Sequence, residues 1–137
     1  MMAIVTPHVE RPWTRRIRLG LGVLALLFGL ATLKEGGLML FGGAEAREAA
    51  GAIVPFVLLF NFSAGFVYLA TGVGALAGKS WALLLARGLA LSTLLVFAAF
   101  GIHIALGGAF MTHTAVAMTL RSVFWVVQAL ILARVMP

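Results

Sequence analysis

The stretch MTLRSVFWVVQALIL, residues 118–132, is apolar enough to cross a membrane, yet it contains Arg121 and Gln128. A helix that spans a hydrocarbon core of about 30 Å needs roughly 20 predominantly apolar residues. A charged side chain inside that core is costly, so it is expected to face the protein interior and to have a partner there. The stretch therefore predicts a membrane-spanning helix whose arginine belongs to a buried polar site.

The composition of the whole chain also indicates a bilayer environment. Hydrophobic residues make up 63% of the 137 residues and charged residues only 10%, against roughly 25% charged in a soluble domain. The chain has no cysteine, which excludes disulfides, thiolate metal sites and thiol catalysis. The net charge of +6 does not predict nucleic-acid binding, because the basic residues flank apolar segments and do not cluster on a polar face.

Four apolar segments are each close to the length of a membrane-spanning helix. Runs of Leu, Ala, Val and Gly without strict alternation predict helices, not the strands of a barrel. The predicted fold class is all-α, a single integral membrane four-helix bundle over residues 1–137. The predicted spans cover residues 17–33, 52–77, 81–106 and 115–133.

The distribution of Lys and Arg between the flanks predicts the orientation. The N-terminal flank, the turn after the second span and the C-terminal end are basic, whereas acidic residues offset the basic ones in the loop of residues 34–51. Both termini are therefore expected in the cytoplasm, with Trp13 and Trp81 at the cytoplasmic interface. A basic flank before an apolar run is also typical of a cleavable signal peptide, but we interpret this segment as a retained helix.

The loop of residues 34–51 is long for a connection between two helices. Its apolar cluster at residues 38–41 is expected to dip into or lie on the outer interface. A short amphipathic piece is expected over residues 44–50. A plain surface loop is the alternative, although loops of this length are more often functional than short ones.

Polar residues on the spans repeat at helical spacing. At about 100° per residue, positions alternately three and four apart lie on one helical face. Such stripes comprise Thr114, Met118, Arg121, Trp125 and Gln128 on the fourth span, and Asn61, Gly65, Tyr68 and Gly72 on the second. On the third span His103 shares a face with Ser92, whereas Arg87 lies on another.

Four polar side chains on four helices fall at one level toward the outer end of the predicted bundle. Polar groups in a membrane tend to face the bundle and pair with each other, so Glu35 is expected to neutralise Arg121. His103 and Asn61 are expected to complete a polar pocket. The predicted ligand-binding residues are Glu35, Asn61, Tyr68, His103, Arg121 and Trp125.

These polar residues also have structural interpretations. Arg121 is about 10 Å from the outer end of its span, so its side chain could snorkel to the headgroups without a partner. His103, Asn61 and Gln128 could be interhelical hydrogen bonders. Arg87, on its different face, is expected to snorkel or to pair with anionic lipid.

The sequence carries no motif of a catalytic or cofactor site. It has no HExxH, GxSxG or nucleotide-binding glycine loop, and spans two to four hold no Asp or Glu of the kind that proton-coupled transporters use. A haem held by this chain alone is not expected, since one of the three histidines, His8, is predicted on the cytoplasmic side. No metal site is predicted, although Met111, His113 and Met118 have the ligand types of a Cu(I) site.

Several segments follow one another in the order found in one group of small membrane proteins. They are RIRLGLGVLALLFGLATL in the first helix, KEGG after it, Pro55 opening the second helix, AGFVYLATGVGALAG within it, and KSWALLLA leading into the third. In this layout the chain resembles the DoxX-like family of small four-helix bacterial membrane proteins. The resemblance implies the bacterial inner membrane and, as for some relatives, an association with quinone-linked oxidoreductases that handle sulfur compounds or thiols.

Together these features predict a non-catalytic membrane subunit or accessory protein without an intrinsic cofactor. It is expected to bind a partner subunit or a lipophilic ligand, quinone or lipid, near the outer leaflet, and to join a larger membrane complex or copies of itself. With a quinone, Arg121 or His103 would donate a hydrogen bond to a carbonyl oxygen. The alternatives are a small transporter or channel-forming homo-oligomer, and a redox-active subunit of a quinone-linked oxidoreductase.

Overall fold

Four long α-helices make up the described part of the chain. The computed structural model describes residues 10–43 and 54–136. The helices are α1 (Pro12–Phe41), α2 (Pro55–Leu76), α3 (Trp81–Ala105) and α4 (Thr112–Val135). Each of the four is long and apolar enough to span a membrane. The prediction of an all-α fold with four helices is confirmed.

Helix α1 is longer than its predicted span. It has 30 residues and extends for about 45 Å. Its last turns include residues 38–41, so the prediction that these residues form a loop is wrong. Gly36 disfavours a helix by about 1 kcal/mol relative to Ala. A Cβ at this position would lie only 2.9 Å from Phe62 Cδ2. The glycine therefore lets the Phe62 ring pack against α1. The predicted amphipathic piece over 44–50 lies outside the described residues.

Proline and glycine mark the ends of the helices. Pro12 and Pro55 each lie in the first turn of a helix, where the missing N–H is not needed, as expected for Pro55. Gly78 and Gly107, in the turns after α2 and α3, have φ angles of 70° and 84°. This left-handed conformation favours glycine because a Cβ would be strained there. The short turns make α2, α3 and α4 antiparallel neighbours.

The four helices form a ring in which α1 and α3 each pack against both α2 and α4. The start of α1 and the end of α4 therefore lie at the same end of the bundle, together with the α2–α3 turn. We call this end the Arg18 end. The opposite end, where α1 ends and α2 begins, is the Glu35 end.

The bundle is apolar on its outside and polar in parts of its interior. Leu84 and Leu95 are more than half exposed, whereas Arg121 is only 7% exposed and Gln128 2%. The stripes predicted for α2 and α4 are largely buried: Gly65, Tyr68, Gly72, Met118, Arg121, Trp125 and Gln128. This distribution reverses that of a soluble bundle, whose charged face is in water. It is the distribution expected of helices surrounded by lipid.

Helices α1 and α2 share the most extensive contact in the bundle, because glycines face each other along it. A Cβ built on Gly22 would lie 3.0 Å from the carbonyl oxygen of Gly72, and one on Gly72 would lie 2.9 Å from that of Gly22. Gly29 and Gly65 are similarly close to leucine side chains of the opposite helix. Small residues at such contacts let helix backbones approach closely in a membrane.

Replacing Gly72 with alanine is expected to destabilise the bundle. The new methyl would meet a backbone oxygen that cannot rotate away, and overpacking of this kind costs about 1–3 kcal/mol. Gly101→Ala is the matched control, since a Cβ on Gly101 of α3 would have no neighbour within 4 Å. Thermal unfolding in detergent, followed by circular dichroism, compares the two variants. Equal melting temperatures would contradict a tight contact at Gly72.

Candidate ligand-binding site

A cavity of about 430 Å³ lies between α1, α2 and α4 at the Glu35 end. Small-molecule sites have volumes of roughly 300–1,000 Å³ and are mostly apolar with a few converging polar groups. The polar lining residues are Thr32, Glu35, Asn61, His113, Thr114 and Arg121. The other described lining residues are apolar side chains and one glycine. The cavity therefore suits a ligand with an apolar body and a polar head.

The Arg121 side chain extends from α4 to α1 beside this cavity. Its Nη1 donates a hydrogen bond of 2.7 Å to Thr32 Oγ1, and its Nη2 lies 3.8 Å from Glu35 Oε2. Its Cζ is 5.3 Å from the centroid of the Phe28 ring, a cation–π distance. The predicted pairing with Glu35 is present, although the contact with Thr32 is shorter. Because the side chain is buried against α1, the snorkelling alternative is wrong for Arg121.

The charge of Arg121 is only partly compensated by the described residues. The Glu35 side chain is 63% exposed, and its carboxylate lies beyond hydrogen-bond distance of Nη2. Arg121 Nε is buried and has no hydrogen-bond partner in the described part of the chain. Buried charges are normally paired and fully hydrogen-bonded. The guanidinium of Arg121, which lines the cavity, therefore has donor capacity that Thr32 does not use.

An aromatic layer fills the bundle on the inner side of Arg121. The Phe28 ring stacks on Tyr68 at a centroid distance of 5.5 Å and on Phe124 at 4.5 Å, and Tyr68 lies 4.7 Å from Trp125. Tyr68 and Trp125 are fully buried. These rings lie about 20 Å along their helices from the Glu35 end, near the middle of the bundle. The layer separates the cavity from the Arg18 end.

Several hydrogen-bonding groups of this layer lack partners among the described residues. They are Tyr68 Oη, Thr93 Oγ1 and Trp125 Nε1. The Tyr68 hydroxyl lies beside the polar groups of Thr93, Trp125 and Arg121. Buried polar atoms without partners are uncommon and call for an explanation such as a bound water or a functional role. Buried hydrogen-bonding groups without partners are therefore present both at Arg121 and in the centre of the bundle.

Three of the six predicted site residues, Glu35, Asn61 and Arg121, line the cavity. Tyr68 and Trp125 lie deeper and do not line it, although they are adjacent to Arg121. His103 does not join the site.

The position of His103 follows from the helix arrangement. The cavity lies between α1, α2 and α4, whereas His103 is on α3, which is opposite α1 in the ring. Its Nε2 lies 2.9 Å from the carbonyl oxygen of Ala109 in the α3–α4 turn, and its ring packs against Phe56 and Phe100. The histidine that lines the cavity is His113, at the start of α4.

Sequence reasoning missed Thr32, the residue with the shortest contact to Arg121. The signal was present, because Phe28, Thr32 and Glu35 are spaced four and three apart like the stripes on α2 and α4. All three contact the guanidinium. The rotation of about 100° per residue that identified the stripes on α2 and α4 therefore also identifies this face of α1.

Asn61 and Gln128 make interhelical contacts. Asn61 Nδ2 lies 3.5 Å from Met118 Sδ, which links α2 to α4. Gln128 Nε2 donates a hydrogen bond of 2.9 Å to the carbonyl oxygen of Leu21, which links α4 to α1. These contacts agree with the interhelical interpretation of both amides. Among residues 10–43 and 54–136, no group of three His, Asp or Glu could hold a metal ion.

The fold and the cavity define a class: a four-helix bundle of membrane-spanning length with an arginine-lined cavity at one end. No family model, curated protein or solved structure matches the chain. The function is therefore inferred from the geometry of the cavity.

Proposed function

We propose that the protein is a non-catalytic integral membrane subunit or accessory protein that binds a lipophilic ligand in the cavity at the Glu35 end. The observation that carries this proposal is the incompletely compensated guanidinium of Arg121 beside a largely apolar cavity. Ionisable groups inside a membrane are costly and are typically functional. The ligand class is an apolar molecule with a hydrogen-bond-accepting head, a quinone or a lipid.

Each part of the cavity has a role in this binding. Arg121 donates to an oxygen of the ligand, while Thr32 and Glu35 hold the guanidinium in position from α1. A hydrogen bond from a charged donor is shorter and stronger than a neutral one. The apolar lining, with Val57 and Leu58 on α2, accommodates the body of the ligand. Tyr68 and Trp125 lie behind the cavity, so they do not contact the ligand directly.

The proposed orientation puts the Arg18 end in the cytoplasm and the cavity in the outer leaflet. The basic residues of this end are Arg11, Arg15, Arg16, Arg18, Lys79, Arg87 and Arg134. Positive charge marks the cytoplasmic side of a membrane protein. Trp13 and Trp81 are exposed at the same end, where interfacial tryptophans are expected. The resemblance to DoxX-like proteins supports the bacterial inner membrane, a quinone as ligand and a partner complex.

The alternative of a small transporter or channel-forming homo-oligomer requires a polar path across the bundle. In the described residues, fully buried Tyr68 and Trp125 lie with the Phe28 and Phe124 rings between the cavity and the Arg18 end. This packing favours a binding site that is open at one end over a pore through a single bundle.

Native mass spectrometry of the protein, gently extracted from its own membranes, tests the proposed function. A discrete adduct with the mass of a quinone or a lipid is expected on the chain or on its complex. A larger subunit that co-purifies would identify the accessory role. A chain without adduct and without partner in a mild detergent would contradict the proposal. Flux in proteoliposomes would favour the transporter alternative.

A further inference from the structure

A second cavity, of about 490 Å³, lies at the Arg18 end of the bundle. It is formed by the start of α1, the α2–α3 turn and the end of α4. Both ends of the described chain therefore line this cavity. Its described lining contains three arginines, Arg11, Arg18 and Arg134, and one carboxylate, Glu10. The cavity at the Glu35 end and this one are separated by most of the length of the bundle.

The carboxylate of this cavity is already engaged by Arg18. Arg18 Nε donates to Glu10 Oε1 at 2.8 Å, and Nη2 donates to Glu10 Oε2 at 3.1 Å. Nη1 donates to the carbonyl oxygens of Ala75 and Leu76 at the end of α2, the latter at 3.0 Å. Arg18 and Glu10 are thus mutually neutralised and form a fixed wall of the cavity.

Arg11 and Arg134 are the other charged residues of the described lining. Both are exposed, and neither makes a salt bridge within residues 10–43 and 54–136. Arg11 precedes α1 and Arg134 lies in the last turn of α4, so two arginines from distant parts of the chain line one concave surface. Thr14 and Ser80 add hydroxyl groups to it. Guanidinium groups bind phosphate oxygens in a forked geometry.

The cavity lies at the level of the lipid headgroups if the helices span a bilayer. Trp13, which lines it, is 56% exposed, and Trp81, which begins α3 at the same end, is 44% exposed. Such amphipathic rings are enriched at the membrane interface. The anions that are abundant at this level are the phosphates of phospholipids.

We propose that this cavity binds the phosphate of an anionic phospholipid headgroup between Arg11 and Arg134. The bound lipid would join the start of α1 to the end of α4. This site is independent of the cavity at the Glu35 end and of the function proposed for it.

Lipid titration monitored by native mass spectrometry tests the site. The purified protein in detergent is titrated with phosphatidylglycerol and, separately, with zwitterionic phosphatidylcholine. The double variant Arg11→Gln, Arg134→Gln is expected to bind phosphatidylglycerol roughly 100-fold more weakly, since each direct hydrogen bond between a guanidinium and a phosphate contributes about tenfold or more. The control is Arg15→Gln, Arg16→Gln, which removes the same charge from the same end at exposed positions outside the lining. It is expected to change binding less than threefold.

Three outcomes would overturn the proposal. Equal losses in the two double variants would mean that only the overall positive charge attracts lipid. Equal affinity for the two lipids would remove the role of the anionic headgroup. Binding of inorganic phosphate that excludes phosphatidylglycerol would assign the cavity to a free anion. Melting temperatures of both variants, measured in the same detergent, establish that the bundle is intact.

Discussion

Replacing Arg121 with leucine is expected to weaken ligand binding about tenfold to a hundredfold, the range for loss of one charge-assisted hydrogen bond. The same change is expected to leave the bundle equally stable or to stabilise it. The guanidinium has one short hydrogen bond, to Thr32, and a contact of 3.8 Å to Glu35. A buried charge whose compensation is incomplete carries a desolvation cost, and the leucine variant no longer has that cost.

The partners of Arg121 tolerate its removal. The Glu35 side chain is 63% exposed, so it does not become a buried unpaired charge. The Thr32 hydroxyl can instead donate to a backbone carbonyl one turn earlier in α1. If Arg121→Leu is stable but no longer binds the ligand, Arg121 serves ligand binding and not the stability of the fold.

The controls for Arg121→Leu are Arg87→Leu and Arg121→Lys. Arg87 is exposed on α3 and does not line the cavity, so its replacement is expected to leave the adduct in place. Lysine keeps the charge at position 121 but not the forked donors, so we expect an intermediate affinity. The readouts are adduct occupancy in native mass spectra and the melting temperature of each variant. Equal loss of adduct for Arg87→Leu and Arg121→Leu would remove the reason to place the ligand beside Arg121.

The features that sequence could predict are those with a helical period. Apolar run lengths predicted four helices, and the spacing of Met118, Arg121, Trp125 and Gln128 predicted the buried face of α4. The pairing of Arg121 with Glu35 also followed, because polar groups at one depth in a membrane seek each other. These predictions depend only on local geometry and on depth.

The features that sequence could not predict depend on how the helices are arranged around the ring. Depth alone placed His103 beside Arg121, but the ring places α3 opposite α1, and His103 lies against the α3–α4 turn. Residues 34–51 were predicted to form a loop, whereas α1 extends to Phe41 and packs tightly against α2 at Gly36. The contact of Arg18 with the end of α2 joins residues 57 positions apart, so no local pattern indicates it.

Arg18 is the second buried arginine of the bundle, and its replacement is expected to have the opposite effect on stability. It donates to both oxygens of Glu10 and to the carbonyl oxygens of Ala75 and Leu76. The last carbonyl groups of a helix have no partner within it, and a positive charge near them also interacts favourably with the helix dipole. Arg18 therefore acts as a cap on α2 that is supplied by α1.

Arg18→Met is expected to lower the free energy of unfolding by about 1–3 kcal/mol, the range for leaving a buried hydrogen-bonding group without its partner. Methionine fills a similar length but cannot donate to Glu10 or to the carbonyl oxygen of Leu76, whereas the Ala75 carbonyl keeps its hydrogen bond of 3.2 Å from the N–H of Gly78. The control is Arg16→Met at an exposed position two residues away, where a change within about 0.5 kcal/mol is expected. Denaturant unfolding in detergent, followed by circular dichroism, measures both variants. If Arg18→Met were as stable as Arg16→Met, the connection between α1 and the end of α2 would contribute nothing to the fold, and the contrast between a structural Arg18 and a functional Arg121 would be lost.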